Sequence, residues 1–279
     1  MKKFLITYGD QNFEMPKKRF IQQAYDINVF DEIIAYSEED LSEELKNSEI
    51  IKEKRGGGLW SWKSDVILTT LNKMSDGDYL VYCDAGCTLA KCIEWDKFWS
   101  ILADSDIIAQ RIYQKTEHWT RKNIINYFHS TNRRNWDKCY QYLATVVILK
   151  ATPFTRRLIA EWRNLVLSHS EMVKDVTPTE REGEFKTFRE NRHDQAIFSA
   201  LIYKYLNKPE TKKKIHTQWE HIEDKDIFFK QAIRATRLRN GEIQEGHRTF
   251  LKTILKRIIK SYIYRPFFYS QRQWWYSKF

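Results

Sequence analysis

The chain has 279 residues, of which 42% are hydrophobic and 15% aromatic, and its formal net charge is +10. This apolar content suffices for one large domain or two small ones and excludes a disordered or fibrous protein. The apolar run Phe4 to Ile6 is too short for a signal peptide, and no stretch approaches the roughly 20 apolar residues of a membrane span. The sequence therefore predicts a cytoplasmic protein.

Predicted strands and helices alternate along most of the chain. The predicted strands are Lys3 to Tyr8, Val29 to Tyr36, Asp78 to Cys83, Asp106 to Ala109 and Ala144 to Leu149. The predicted helices are Met15 to Tyr25, Lys63 to Met74, Glu94 to Leu102, Phe154 to Leu167 and His193 to Leu206. The polar segment 168–191 is predicted to be a long loop that acts as a lid or binds an acceptor. This order favours an α/β fold with a mostly parallel sheet flanked by helices.

Two turns follow predicted strands at the edge where such sheets bind ligands, the carboxyl ends of the strands. Their residues are Tyr8, Gly9 and Asp10 after the first strand, and Asp84, Ala85 and Gly86 after the third. Asp84 is a charged side chain at the exposed tip of a buried strand. It is either a ligand-binding carboxylate or an ordinary turn or helix-capping aspartate.

A glycine-rich segment precedes the third strand. The triplet Gly56 to Gly58 lets backbone N–H groups approach an anion closely. Arg55 and Lys63 lie on either side of it and are cations suited to diphosphate oxygens. The alternative is a flexible connection beside two core tryptophans.

A third polar group, His193, Asp194 and Gln195, begins the last predicted helix. Asp194 is a candidate for acid/base chemistry, and the alternative is that it caps the helix while Arg192 faces solvent.

These segments and their order resemble bacterial nucleotide-sugar glycosyltransferases of the GT-A type that build capsule or lipopolysaccharide. The resemblance covers about residues 3 to 206 and rests on Gly56 to Lys63, Val81 to Cys87, Gln141 and Ala144, Glu161 and Trp162, and Arg192 to Gln195. The chain departs from the family pattern at Gly58 and Ser64, and at Gly86, which stands where the second aspartate of the DxD metal motif is expected.

The resemblance implies a GT-A-like catalytic domain, residues 1–247, that moves a sugar from a nucleotide-diphosphate donor to a saccharide or lipid-linked saccharide acceptor. The implied donor-binding residues are Tyr8, Gly9, Asp10, Arg55, Gly57, Trp60, Lys63, Asp84, Ala85, Gly86 and His193. A divalent cation, Mn²⁺ or Mg²⁺, is expected on Asp84 and His247, with His216 as the alternative histidine, to offset the charge of the departing diphosphate. The incomplete DxD motif leaves dependence on this cation open.

The resemblance also implies roles at the reacting sugar. Asp194 would act as general base or stabilise a positively charged sugar, with Gln195 hydrogen-bonded to the sugar, and the stereochemistry stays open. Trp119 and Trp136 are candidates to stack on acceptor sugar rings.

The C-terminal segment 248–279 is predicted to be a basic amphipathic helical tail. It has eight basic residues and no acidic ones, so most of the net charge of +10 resides there. Aromatic residues cluster after Pro266, an arrangement that suits an anionic membrane surface. We therefore expect peripheral contact with the inner face of the cell membrane, the alternatives being a helix packed on the domain or, less in keeping with the rest of the chain, a nucleic-acid contact.

Two other functions stay open at this stage. A nucleotidyltransferase shares α/β sheets and metal carboxylates but normally carries its glycine-rich signature directly after the first strand. A non-catalytic binding protein associated with a membrane or nucleic acid would explain the missing second aspartate. The four cysteines lack paired zinc-site spacing and are predicted to be reduced.

Overall fold

The structure is a computed structural model that describes residues 1–220, 222 and 231–237. His247 and the predicted tail, residues 248–279, lie outside the described residues. The division into a domain ending at 247 and a separate tail therefore stays a prediction.

Nine strands occur in the described part of the chain. They are β1 (Lys3–Tyr8), β2 (Glu32–Tyr36), β3 (Tyr79–Cys83), β4 (Thr88–Leu89), β5 (Ile107–Lys115), β6 (Tyr140–Tyr142), β7 (Val146–Lys150), β8 (Ile215–Trp219) and β9 (Ile233–Arg234). The five strands expected from the sequence are all present. The short strands β4, β6 and β9 and the edge strand β8 carry too few apolar residues in sequence to stand out.

Five helices have three turns or more, and all five were expected from the sequence. They are α1 (Glu14–Ile27), α4 (Trp62–Lys73), α5 (Glu94–Asp104), α8 (Pro153–Ser168) and α11 (His193–Leu206). The shorter helical segments are α2 (Glu43–Lys46), α3 (Gly56–Leu59), α6 (Thr116–Trp119), α7 (Lys122–Tyr127), α9 (Ser170–Val173), α10 (Pro178–Arg181) and α12 (Pro209–Lys212). Segment 168–191, expected to be a loop, thus contains two short helices. None of the described helices is both long enough and apolar enough to cross a lipid bilayer.

The predicted α/β fold is confirmed, and its main sheet has seven strands. Pairing is parallel between β1 and both β2 and β3, and between β5 and β8. It is antiparallel where β7 meets β3 and β5, and where β6 meets β5. The sheet is therefore mixed rather than mostly parallel. β6 and β7 follow one another closely in the chain, and both pair antiparallel with β5. Antiparallel neighbours, unlike parallel ones, do not require a crossover helix between them.

The sheet is buried on both faces, which explains the unbroken apolar run of β3. Leu80 and Tyr82 point into one core, which they share with α4, α8 and α11. Tyr79 and Val81 point into the other core, which contains residues of α1 and α5. Because successive side chains in a strand alternate between faces, a strand buried on both sides is apolar at every position. The polar residues that could meet a ligand are consequently confined to the strand ends.

Candidate functional site

The ends of β1 and β3 meet at one edge of the sheet. The two strands are parallel neighbours in which Ile6 pairs with Tyr82. The Thr7 hydroxyl donates a hydrogen bond of 2.7 Å to the Cys83 carbonyl and ties the two strand ends together. The turns that follow, beginning at Tyr8 and Asp84, therefore lie side by side, as expected for the carboxyl ends of parallel strands.

Lys63 lies between two carboxylates at this edge. Its Nζ is 3.1 Å from Oδ2 of Asp194 and 3.4 Å from Oδ1 of Asp84. The Lys63 side chain is 4% exposed, that of Asp194 6% and that of Asp84 30%. The Asp194 contact has ion-pair distance but is not aligned as a hydrogen bond. The three residues come from α4, α11 and the end of β3, so they assemble only when these elements pack together.

Burial and charge act against each other in this group. Burial alone would lower the pKa of the Lys63 ammonium, but the carboxylates of Asp194 and Asp84 outweigh burial and raise it. Burial raises the pKa of Asp194, and Asp84 raises it further, while Lys63 opposes both effects. Two carboxylates and one ammonium leave the group with net negative charge when all are ionised. Burial and the second carboxylate therefore outweigh Lys63 in setting the pKa of Asp194.

Aromatic rings form the wall behind Lys63. The Tyr82 hydroxyl donates a 2.6 Å hydrogen bond to Oδ1 of Asp84 and fixes that carboxylate. Burial, and then the negative charge of Asp84, raise the pKa of Tyr82 well above its ordinary value, so the hydroxyl stays protonated. Trp62 stacks on Tyr8 with ring centroids 4.1 Å apart. Tyr82 and Trp62 were not predicted as site residues, because in sequence they look like ordinary core aromatics.

The glycine triplet forms a tight left-handed turn before α4. Its φ angles are +61° at Gly56, +56° at Gly57 and +92° at Gly58, a region that L side chains avoid. A Cβ on Gly56 would lie 2.6 Å from the Trp60 ring. A Cβ on Gly57 would lie 3.4 Å from Oδ2 of Asp10, which places this turn beside the end of β1. The structure thus brings Tyr8, Asp10 and Gly57 into one region, as expected.

Arg55 lies on the exposed side of this turn and is held by two carboxylates. One guanidinium nitrogen lies 2.7 Å from Oδ1 of Asp175, and another contacts Oε1 of Glu190. These ion pairs, led by the hydrogen bond to Glu190, raise the pKa of Arg55. In this structure Arg55 and Lys63, the two cations predicted to bind the diphosphate, are both paired with acids. Sequence could not reveal this, because Asp175 and Glu190 lie in the segment predicted to be a loop.

His193 is buried next to the same group. Its Nδ1 is 2.7 Å from the Val173 carbonyl, and its Nε2 is 3.6 Å from Oδ1 of Asp175. Its ring lies 5.1 Å from that of Trp60, measured between centroids. The backbone of His193 has φ +49°, which for a residue other than glycine needs support from its surroundings.

Ala85 and Gly86 differ from the prediction. Both are buried, and their backbone carbonyls accept hydrogen bonds from the Arg19 guanidinium and the Thr236 hydroxyl, respectively. Thr236 thus contacts the turn at Gly86, and both small residues are covered by protein rather than exposed to a ligand. Asp84 is the residue of this turn that reaches solvent.

Gln195 belongs to a network of glutamine side chains beside the group. Its amide nitrogen donates to Oε1 of Gln141 at 2.8 Å and to Oε1 of Gln114 at 3.4 Å. Gln141 in turn donates to the Trp119 carbonyl and to the Thr120 hydroxyl. These bonds fix the orientation of the Gln195 amide. Gln114 was not predicted, because a lone glutamine in a strand carries no sequence signal.

The two predicted acceptor tryptophans have different environments. Trp119 is partly exposed, and the Arg192 guanidinium lies 4.4 Å from its ring centroid. Trp136 is 2% exposed and packs against Phe128 and Tyr203 in the core. Trp136 cannot stack on a sugar from this position, so the prediction for it is wrong. Its position in a polar stretch hid the fact that it packs under α11.

The fit of a divalent cation at Asp84 can be judged from its neighbours. Three residues within 1–220, 222 and 231–237 lie close enough together to hold a metal ion: Asp175, Glu190 and His193. Asp84 does not belong to this group. Oδ1 of Asp84 is already in contact with Lys63 and Tyr82. The described residues therefore do not complete an ion site on Asp84, and His247 lies outside them.

Comparison with known proteins finds similar folds but no similar sequences. No protein-family model and no curated protein matches the chain. Galactosyltransferase LgtC, solved with donor and acceptor sugar analogues, aligns over 77% of this chain and 72% of its own, with 13% identity and a TM-score of 0.41. Mouse xyloside xylosyltransferase 1 aligns over 84% of this chain and 97% of its own, with 11% identity and a TM-score of 0.43. A glycosyltransferase involved in glycosylation of the major capsid of PBCV-1 aligns over 78% and 82%, with 8% identity and a TM-score of 0.40. At these values a functional assignment must rest on the side chains described above.

Proposed function

We propose that the chain is a GT-A-type glycosyltransferase that moves a sugar from a nucleotide-diphosphate donor to a saccharide or lipid-linked saccharide acceptor. The observation that carries this proposal is the burial of Lys63 between Asp84 and Asp194 at the carboxyl edge of β1 and β3. Burying a charged side chain costs free energy unless an opposite charge pairs with it. Buried ionisable groups with shifted pKa values concentrate at functional sites. The glycine turn beside Asp10 is the adjacent surface that we assign to the phosphates, whereas the stacked rings of Tyr8 and Trp62 are buried and support the turn from within.

Asp194 is the proposed residue at the reacting carbon. Burial raises the pKa of Asp194, and the Lys63 ammonium opposes that rise because it favours the ionised carboxylate. An ionised Asp194 can accept a proton from the acceptor hydroxyl or offset positive charge on the sugar. The Gln195 amide lies one residue further along α11, and because its nitrogen already donates to Gln141 and Gln114, it can contact the sugar by accepting a hydrogen bond at Oε1. The anomeric configuration of the product, read by NMR, would distinguish retention from inversion.

Neutralisation of the departing diphosphate is assigned to this chain's own cations. Lys63 is at the site, and Arg55 becomes available when its exposed contacts with Asp175 and Glu190 open. We derive no step through a cation on Asp84, because Asp84 does not belong to a group of three or more possible metal ligands among the described residues. A requirement for Mn²⁺ or Mg²⁺ stays a prediction, tested by assays with and without each ion.

A panel of nucleotide sugars, read by thermal shift and by transfer or hydrolysis, tests the proposal. We expect at least one donor to raise the melting temperature of the wild type and to lose this effect in Asp84→Asn. Asp26→Asn, on the exposed face of α1, is the matched control and should behave as wild type. The proposal fails if no nucleotide diphosphate stabilises the protein and Asp84→Asn leaves activity unchanged. Pyrophosphate release from nucleoside triphosphates would instead indicate a nucleotidyltransferase.

The pathway and cellular location are further parts of the proposal. We propose that the enzyme works in surface polysaccharide synthesis, capsule or O-antigen and lipopolysaccharide, on the cytoplasmic side of the membrane. The support is the basic composition of residues 248–279, which suits an anionic lipid surface. Co-sedimentation with anionic vesicles should be strong for the full chain and weak for one ending at Gly246. Equal sedimentation of the two would contradict membrane docking by the tail.

A further inference from the structure

We propose that His193, Asp175 and Glu190 form a binding site for a transition-metal ion such as Zn²⁺, at which Arg55 competes with the metal. The site is separate from the Asp84 position, where a cation was expected from the sequence, and the inference does not depend on the proposed glycosyltransferase activity. Each residue offers one ligand atom, and these atoms all lie within 4.8 Å of one another. That spacing lets one ion contact all three, because metal–ligand distances are near 2 Å.

The imidazole of His193 provides the observation that points to a ligand. Its side chain is 4% exposed, and its Nε2 has no hydrogen-bond partner among the described residues. Nε2 is directed at Asp175, whose Oδ1 is 3.6 Å away. A buried polar atom without a hydrogen bond is uncommon and destabilises the folded state, so a ligand that binds this atom would be stabilising. A metal ion would supply one.

The other nitrogen of the ring fixes the tautomer. Nδ1 lies 2.7 Å from the Val173 carbonyl, which can only accept, so Nδ1 carries the proton. In the neutral imidazole the lone pair is then on Nε2, which faces the two carboxylates. A histidine that ligates a metal usually donates its second N–H to a carbonyl or carboxylate in this way. His193 is therefore oriented as a ligand before any ion binds.

The net charge of this cluster favours the binding of a cation. Asp175 and Glu190 bring two negative charges, and Arg55 offsets one of them through Oδ1 of Asp175 and Oε1 of Glu190. The second oxygen of each carboxylate is outside these ion pairs. The Arg55 and Asp175 side chains are 44% and 48% exposed, so solvent screens their ion pair and Arg55 can swing away.

The donor set selects the class of metal. One imidazole nitrogen with two carboxylates suits Zn²⁺, Co²⁺ or Mn²⁺, whereas Mg²⁺ and Ca²⁺ prefer oxygen ligands throughout. Asp175 and Glu190 belong to the segment between α8 and α11, and Arg55 precedes the glycine turn. A bound ion would hold that segment to the start of α11 and release Arg55 at the edge of the candidate active site.

Titration of the full chain with Co²⁺, followed by visible absorption and by calorimetry with Zn²⁺, tests the site without any sugar donor. We expect one equivalent to bind, and Asp175→Asn and Glu190→Gln to weaken binding by about tenfold or more. Arg55→Gln should tighten binding by about fivefold, the effect of removing a competing half-exposed ion pair. A purely structural role for Arg55 would not strengthen metal binding.

Three variants serve as controls for the location of the ion. Glu182→Gln removes an exposed acid of the same segment, while Asp84→Asn and His247→Ala remove the ligands expected at the other cation position. All three should bind Co²⁺ as wild type does. The proposal is overturned if wild type binds neither ion, if Asp175→Asn and Glu190→Gln bind normally, or if Asp84→Asn abolishes binding. Circular dichroism verifies that each variant is folded.

Discussion

Lys63 Nζ lies 3.1 Å from Asp194 Oδ2 and links the first turn of α4 to the first turn of α11 beneath the end of β3. Both side chains are almost fully buried, so each charge depends on the other. This contact joins parts of the chain 131 residues apart and defines the centre of the candidate site.

Removing the cation should destabilise the fold. Lys63→Met keeps the length of the side chain but leaves Asp194 and Asp84 without their shared partner, and we expect a loss of about 3 kcal/mol in the free energy of unfolding. Lys52→Met is the control, since Lys52 is 65% exposed and paired with Glu49 at the surface, and it should cost under about 1 kcal/mol. Urea unfolding measures both. If Lys63→Met costs no more than the control, the buried ion pair is not a stabilising element.

The raised pKa of Asp194 gives a signed dependence on pH. The folded protein holds the Asp194 proton more tightly than the unfolded chain, so this group favours folding at low pH. Its contribution is lost as pH rises from the ordinary value of about 3.8 through the raised pKa in the folded state. The stability of wild type minus that of Asp194→Asn should therefore fall with increasing pH in this window. Unfolding of both proteins across pH 4 to 7 tests this, and a rising difference would contradict it.

Gly56 should tolerate no side chain. An added Cβ would combine a positive φ with a 2.6 Å approach to the Trp60 ring, so Gly56→Ala is expected to cost about 3 kcal/mol. Gly77 has φ +93°, and a Cβ added there would meet nothing within 4 Å. Gly77→Ala should therefore lower the free energy of unfolding by about 1 kcal/mol, through the unfavourable φ angle alone. Thermal or urea unfolding compares them. Equal losses would mean that Trp60 moves aside freely.

Alanine substitution of the two tryptophans proposed for the acceptor should have different effects on stability and kinetics. Trp136→Ala empties a core position and should cost about 3 to 5 kcal/mol of unfolding free energy. Trp119→Ala removes a partly exposed ring and its contact with Arg192, and should cost about 1 kcal/mol or less. If the enzyme assignment holds, Trp119→Ala should raise the KM for acceptor more than that for donor. An unchanged acceptor KM would remove Trp119 from the acceptor site.

Much of the scaffold could be predicted from residue patterns. The run Tyr79 to Cys83 is apolar at every position because β3 is buried on both faces, and that pattern is visible without a structure. Tyr8 and Asp84 were expected to converge because parallel neighbouring strands end at the same edge. The sheet direction at β7 was not predictable, since strand patterns carry no information about orientation.

The sequence by itself determined the α/β fold, the principal strands and helices, and the convergence of the ends of β1 and β3, because local periodicity and chain order encode them. Tertiary structure alone decided which charges are paired. Arg55 meets Asp175 and Glu190 across separations of 120 and 135 residues, and Lys63 is enclosed by acids from two other elements. A charge in a sequence has no fixed partner or exposure, since both depend on which elements pack around it.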